Sequence, residues 1–174
     1  MFNAEIREVV FIPTWTIPPG LLNRSILPSI KKDPGYLATH NIRVIDASGN
    51  FVDPASVNWT SYSTAVPYTL RQDPGPNNSL GTVKFIFPNE HFVFLHDTPH
   101  RDLFDYPQRA FSSGCIRIED PLQLAELLLD DPQNHSRQAL QAIVDSRQTQ
   151  RVHLNPKIPV VIMYMTAALD TNGD

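Results

Sequence analysis

Cysteine is nearly missing from these 174 residues: one, Cys115, is present. A lone thiol excludes internal disulfides. With no CxxC or HExxH pattern it also removes the usual frameworks for zinc, so no metal and no cofactor is expected. Basic charge is scarce too. The formal net charge is −4, and Lys31-Lys32 is the only adjacent basic pair. No basic stripe is available to neutralise phosphates, so a nucleic-acid surface is not expected. No apolar run approaches the ~20 residues of a membrane-spanning helix. Residues 1–15 lack the basic, then apolar, then small-residue order of an export signal. Glycine is sparse at seven, whereas sixteen prolines cut the chain into short pieces.

What is present suits one domain with a packed core, since 41% of the residues are hydrophobic and the length is ample for burial. Residues 4–12 alternate as a half-buried strand does. A strand so close to the first residue suggests that the chain opens inside a domain, as a fragment would. Pro18-Pro19 opens a helix near 19–32, which Asp33-Pro34-Gly35 ends. Ile42–Asp46 reads as a short strand, and 53–81 as a long loop whose Trp59, Tyr62 and Tyr68 favour an ordered lid. Residues 83–87 and 92–95, split by Pro88-Asn89-Glu90, predict a β-hairpin. Cys115–Ile118 is strand-like, placing residues 115 and 117 on one face. Asp120-Pro121-Leu122-Gln123 caps a helix to about Leu129, and a second helix fits 135–147. Ile158–Met165 predicts a buried strand. The pattern is α+β and mainly β.

The candidate chemistry centres on Cys115. A buried cysteine often serves only as a small hydrophobe. Here Gly114 precedes it, allowing close backbone approach, and amides of residues 113–115 are candidates for an oxyanion hole. Ser112 and Ser113 are small enough to leave the approach open. His96 closes the apolar run Phe92-Val93-Phe94-Leu95, where a strand meets a loop, and is the candidate base. Arg117 either provides a positive field and a bidentate carboxylate clamp, or pairs with Glu119 or Asp120. Asp97 either meets His96 through its backbone or caps the turn.

His96-Asp97-Thr98-Pro99, followed nineteen residues after the histidine by Cys115 in Ser112-Ser113-Gly114-Cys115-Ile116-Arg117, resembles the catalytic signature of the YkuD-type L,D-transpeptidases. The closer likeness is to the YcbB-like branch with its capping insertion. Pro13–Pro19, Asp33–Leu37, Arg71–Gly81, Val83–Asn89 and Pro159–Asp170 are similar to that branch as well. The resemblance implies a β-sandwich-like catalytic domain over 1–174, lacking its first strands, with a helical lid insertion at about 18–80. It implies a peptidoglycan L,D-transpeptidase of the periplasm or cell envelope, acting on stem peptides alongside other wall-building proteins. Cys115 would form a thioester with loss of D-alanine, His96 would move the proton, and amides of Gly114 and Cys115 would hold the oxyanion. Arg117, Ser113, Trp59, Phe94 and Asn78 would contact substrate. Phe94 stands where the branch often has tyrosine, so no hydroxyl is available there. Two alternatives use the same residues differently: an L,D-carboxypeptidase or cross-link hydrolase, and an inactive wall-binding fragment.

Overall fold

The computed structural model describes residues 2–112 and 114–163. Two sheets organise them. The first has the order β8-β7-β6-β1-β9, built from β1 (Phe2–Phe11), β6 (Val83–Ile86), β7 (Leu95–His96), β8 (Ile116–Arg117) and β9 (Gln150–Ile162). The second has the order β2-β5-β3-β4, built from β2 (Trp15–Thr16), β3 (Ile42–Ile45), β4 (Phe51–Val52) and β5 (Thr69–Gln72). All pairings are antiparallel except β7 with β8. The mainly β class with a few helices is as expected from the sequence.

Each sheet buries its own core. Val9 and Phe11 of β1, Val83 and Phe85 of β6 and Leu95 of β7 pack against Leu122, Ala125 and Leu140. Those last three lie on α4 (Pro121–Leu129) and α5 (Arg137–Asp145). Burying each large side chain contributes about 1.5–3 kcal/mol, enough to hold one face of the sheet to these helices. Asp120 and Ser136 cap the helices as their side chains accept from the Gln123 and Ala139 amides. The second core joins Leu70 and Val44 to Leu22, Leu27 and Ile30. The latter come from the helical run α1 (Pro19–Leu21), a π-turn (Leu22–Ile26) and α2 (Leu27–Lys32), followed by α3 (Tyr36–Thr39).

Three expectations change. The supposed loop 53–81 contains β5, the strand through which β2 and β3 are joined. Only Leu70 and Gln72 of it face inward, too few to stand out between prolines. The second hairpin arm shrinks to Leu95–His96, because Asn89 wires residues 87–93 into a loop with four side-chain hydrogen bonds. The strand expected at Ile158–Met165 begins at Gln150 and is mostly exposed rather than buried. It is an edge strand, which explains its tolerance of Pro156 and Pro159; Tyr164 and Met165 lie outside the described residues.

Candidate active site

Register across the first sheet assembles the site. His96 is opposite Lys84 on β6 and opposite Arg117 on β8, while Lys84 is opposite Val10. Direct partners share a face, and Leu95 and Phe85 fill the core behind them. The outer face therefore carries Lys84, His96 and Arg117 in one row. The parallel pair is tied by Ile116 N donating to Phe94 O and Ile118 N to His96 O, both at 2.9 Å. The strand expected over 115–118 is only Ile116–Arg117, with Cys115 immediately before it. Cys115, His96 and Arg117 line one groove of about 440 Å³.

His96 is 5% exposed, and its Nδ1 lies 2.5 Å from the Asp97 carbonyl oxygen. A carbonyl only accepts, so Nδ1 carries the proton and Nε2 is left with a lone pair. Burial pushes the His96 pKa below its ordinary 6.5; the Asp97 hydrogen bond opposes this, and the Arg117 and Lys84 charges reinforce it. The imidazole is thus held neutral, the form able to accept a proton.

Asp97 acts through its backbone, and its carboxylate anchors that backbone. The side chain is nearly inaccessible. Oδ2 accepts from Thr82 N and Thr82 Oγ1, each at 2.7 Å, and Oδ1 accepts from Thr98 N at 2.7 Å and Arg101 Nη2 at 2.6 Å. Arg101 Nη1 also donates to the Glu119 carbonyl, just beyond β8. One guanidinium therefore links the end of the histidine strand to the segment that follows the cysteine.

The Cys115 thiol is half-buried and donates to Phe92 O at 4.0 Å, with no hydrogen bond to His96. Cys115 and His96 share the groove without a hydrogen bond between them, as candidate catalytic pairs commonly do before substrate tightens the geometry. The turn before Cys115 is laced by Ser112, whose hydroxyl donates to Cys115 O at 2.5 Å and accepts from Gly114 N at 3.1 Å. The Gly114 amide is therefore already engaged. Among the described residues nothing accepts from the Cys115 amide, which makes it the better placed of the two candidate oxyanion donors. Gly114 has φ +136°, and a Cβ there would meet only Val93 at 3.7 Å. Its glycine is required by backbone conformation rather than by crowding. Ser113 lies outside the described residues.

Arg117 makes no ion pair with Glu119 or Asp120 among the described residues; Asp120 is bound by Arg137 at 2.9 Å. The Arg117 Nε and Nη1 are buried without a partner. Phe94 packs against Phe87 and carries the Lys84 ammonium 3.9 Å from its ring centre, so it supports the row instead of lining the groove. Asn78 is buried, donating to Asp73 O and accepting from Leu80 N. It shapes the loop that sets Ser79 and Leu80 on the groove wall, without reaching the groove itself. Trp59 lies elsewhere: it donates to Pro54 O, packs near Tyr68 and lines a separate cavity of the second sheet. The chain just after β1 meets the groove through Trp15, Pro18, Gly20, Leu21 and Arg24.

Lys84 also stands in this row. Burial pushes its pKa down, while the nearby Cys115 and Glu8 act to raise it and Arg151 to lower it. Only the cross-strand register reveals it, because in sequence it is one polar residue in an alternating strand.

The L,D-transpeptidase catalytic domain family (YkuD) matches residues 1–162. A Haemophilus influenzae protein named as a candidate L,D-transpeptidase is 38% identical over 171 residues, covering 98% of this chain and 34% of that protein. The chain thus spans about a third of the relative's length. Family match, relative and the Cys115–His96 groove agree, and the chain belongs to the YkuD-type L,D-transpeptidase catalytic-domain family.

Proposed function

We propose that the domain cross-links peptidoglycan stem peptides in the cell envelope through a thioester on Cys115. The Cys115 sulfur attacks the carbonyl that joins the L-centre of diaminopimelate to the terminal D-alanine. His96 Nε2 accepts the thiol proton, and the Cys115 amide donates to the oxyanion as it forms. Collapse breaks the C–N bond, and the proton on His96 passes to the departing D-alanine amine. The side-chain amine of a second stem then attacks the thioester. It forms the new amide, gives a proton to His96 and returns the thiol. Arg117, cationic and unpaired at its buried nitrogens, binds a stem carboxylate. An inserted segment at about 18–80 acts as the lid, through Pro18 to Arg24.

The observation that carries this reading is that two grooves meet at Cys115. One is the 440 Å³ groove with His96 and the inserted segment. The other, about 330 Å³, is lined by Leu103, Phe104, Arg109 and Ile116 and shares Phe111, Ser112, Gly114, Cys115 and Arg117 with it. Transfer needs a donor and an acceptor to reach the same sulfur in turn, whereas hydrolysis needs only water beside the donor. The test is incubation with defined muropeptides, analysed by mass. An L,D-linked dimer with one D-alanine released per bond supports transfer; D-alanine release with tripeptide as the only product makes the enzyme a carboxypeptidase.

A further inference from the structure

The loop between β6 and β7 holds one residue at odds with its surroundings. Phe92 has φ +53°, the left-handed region that a bulky side chain disfavours, and the residue is 79% exposed. Asn89 enforces this conformation. Its Nδ2 donates to Phe87 O and Val93 O at 2.8 Å each, while its Oδ1 accepts from His91 N at 3.0 Å and Val93 N at 3.1 Å. The chain therefore spends four hydrogen bonds to keep an aromatic ring out of its core in a strained turn. Strain retained this way is a feature of ligand clamps and active sites.

The position of the residue gives the strain a purpose. The Phe92 carbonyl is the group the Cys115 thiol donates to, at 4.0 Å. Phe92 lines the 440 Å³ groove with Val93 and Phe111, while Trp15, Pro18 and Leu21 supply further apolar lining. Arg24 and Arg117 add cations. Apolar surface beside the thiol together with cationic groups suits a flexible alkyl arm that ends in a polar or anionic group.

We propose that Phe92 is a specificity-determining residue that grips the alkyl side chain of the donor residue whose carbonyl Cys115 attacks. This rests on Cys115 being the acylated group. The donor class is a stem peptide with a long side chain at that position, and a short side chain leaves the Phe92 ring uncovered in solvent. Turn strain and exposed apolar surface are then the standing cost of a preformed contact.

The test compares two synthetic tetrapeptide donors, one with diaminopimelate and one with alanine at the attacked residue. Acyl-enzyme formation is followed by intact mass in the native chain, in Phe92→Asn and in Phe92→Leu. The native chain is expected to favour the long side chain by roughly tenfold or more. Phe92→Asn should bring the ratio within about threefold, and Phe92→Leu should restore most of the preference. Because asparagine tolerates the left-handed region, Phe92→Asn should also raise Tm by roughly 2–4 °C. An unchanged ratio in Phe92→Asn, or no preference in the native chain, overturns the proposal; a lower Tm overturns the strain on which it is built. If neither donor acylates the native chain, the reading of Cys115 fails and this proposal fails with it.

Discussion

Replacing Gly81 by alanine strikes the support of the His96 ring through Asp97. Gly81 has φ +62°, and a Cβ there would lie 2.4 Å from Asp97 Cγ and Oδ2 and 2.5 Å from its Cβ. The left-handed conformation costs an alanine about 1–2 kcal/mol before any contact is counted. The clash then has no inexpensive escape. Asp97 is only 2% exposed, and moving its carboxylate strains bonds from Thr82, Thr98 and Arg101. A charge-assisted hydrogen bond is worth about 1.5–3 kcal/mol. Losing one brings the expected destabilisation to roughly 3–5 kcal/mol, a large part of a typical 5–15 kcal/mol stability. Urea unfolding measures that loss. Carbapenem acylation followed by mass, under conditions where the variant is still folded, measures the second effect: displacement of the Asp97 carbonyl should free Nδ1 and slow acylation tenfold or more. A loss below about 1 kcal/mol with native acylation would refute the account of how His96 is held.

Three further outcomes follow from the same geometry. Arg101→Ala should cost about 1 kcal/mol, because Arg101 is half exposed, yet slow acylation roughly tenfold, with partial recovery in Arg101→Lys. Arg117→Ala should leave urea stability equal or higher, since it removes buried nitrogens that have no partner, while raising KM for carboxylate-bearing donors. The pH dependence carries a definite sign. The native state holds His96 neutral below the ordinary 6.5, so the unfolded chain binds more protons in that window. Stability should therefore be full above pH 6.5 and fall as pH drops through the native His96 value, and His96→Gln should flatten that decline. The acylation rate should likewise stay level to below pH 6.5 before the base is protonated.

Much of the fold is written in local patterns. Asp120, Pro121 and Gln123 form the cap that their spacing implies, and Pro18-Pro19 opens its helix. Cys115 and Arg117 line one groove, in keeping with their spacing of two. What escapes is set by contacts between distant residues. Thr69–Gln72 becomes a strand through pairing on both sides, and nothing within four residues reveals that. Lys84 joins His96 only through register. Asn78 resembles a substrate ligand in its motif, but the same amide is consumed in holding a loop. Gly114 and Trp59 show the same limit. A glycine before a nucleophile suggests two free amides, yet Ser112 occupies one of them. An aromatic residue in a long insertion suggests a lid, yet Trp59 packs near Tyr68 instead.

The central claim is that Cys115 is the acylated nucleophile and His96 its base. Intact-mass analysis after carbapenem exposure tests it most directly, with peptide mapping and with Cys115→Ala and His96→Ala in parallel. One covalent addition is expected, mapped to the peptide containing Cys115, absent in Cys115→Ala and slowed about 10²–10⁴-fold in His96→Ala. A folded native chain that gains no mass, or an addition that persists in Cys115→Ala, would contradict it.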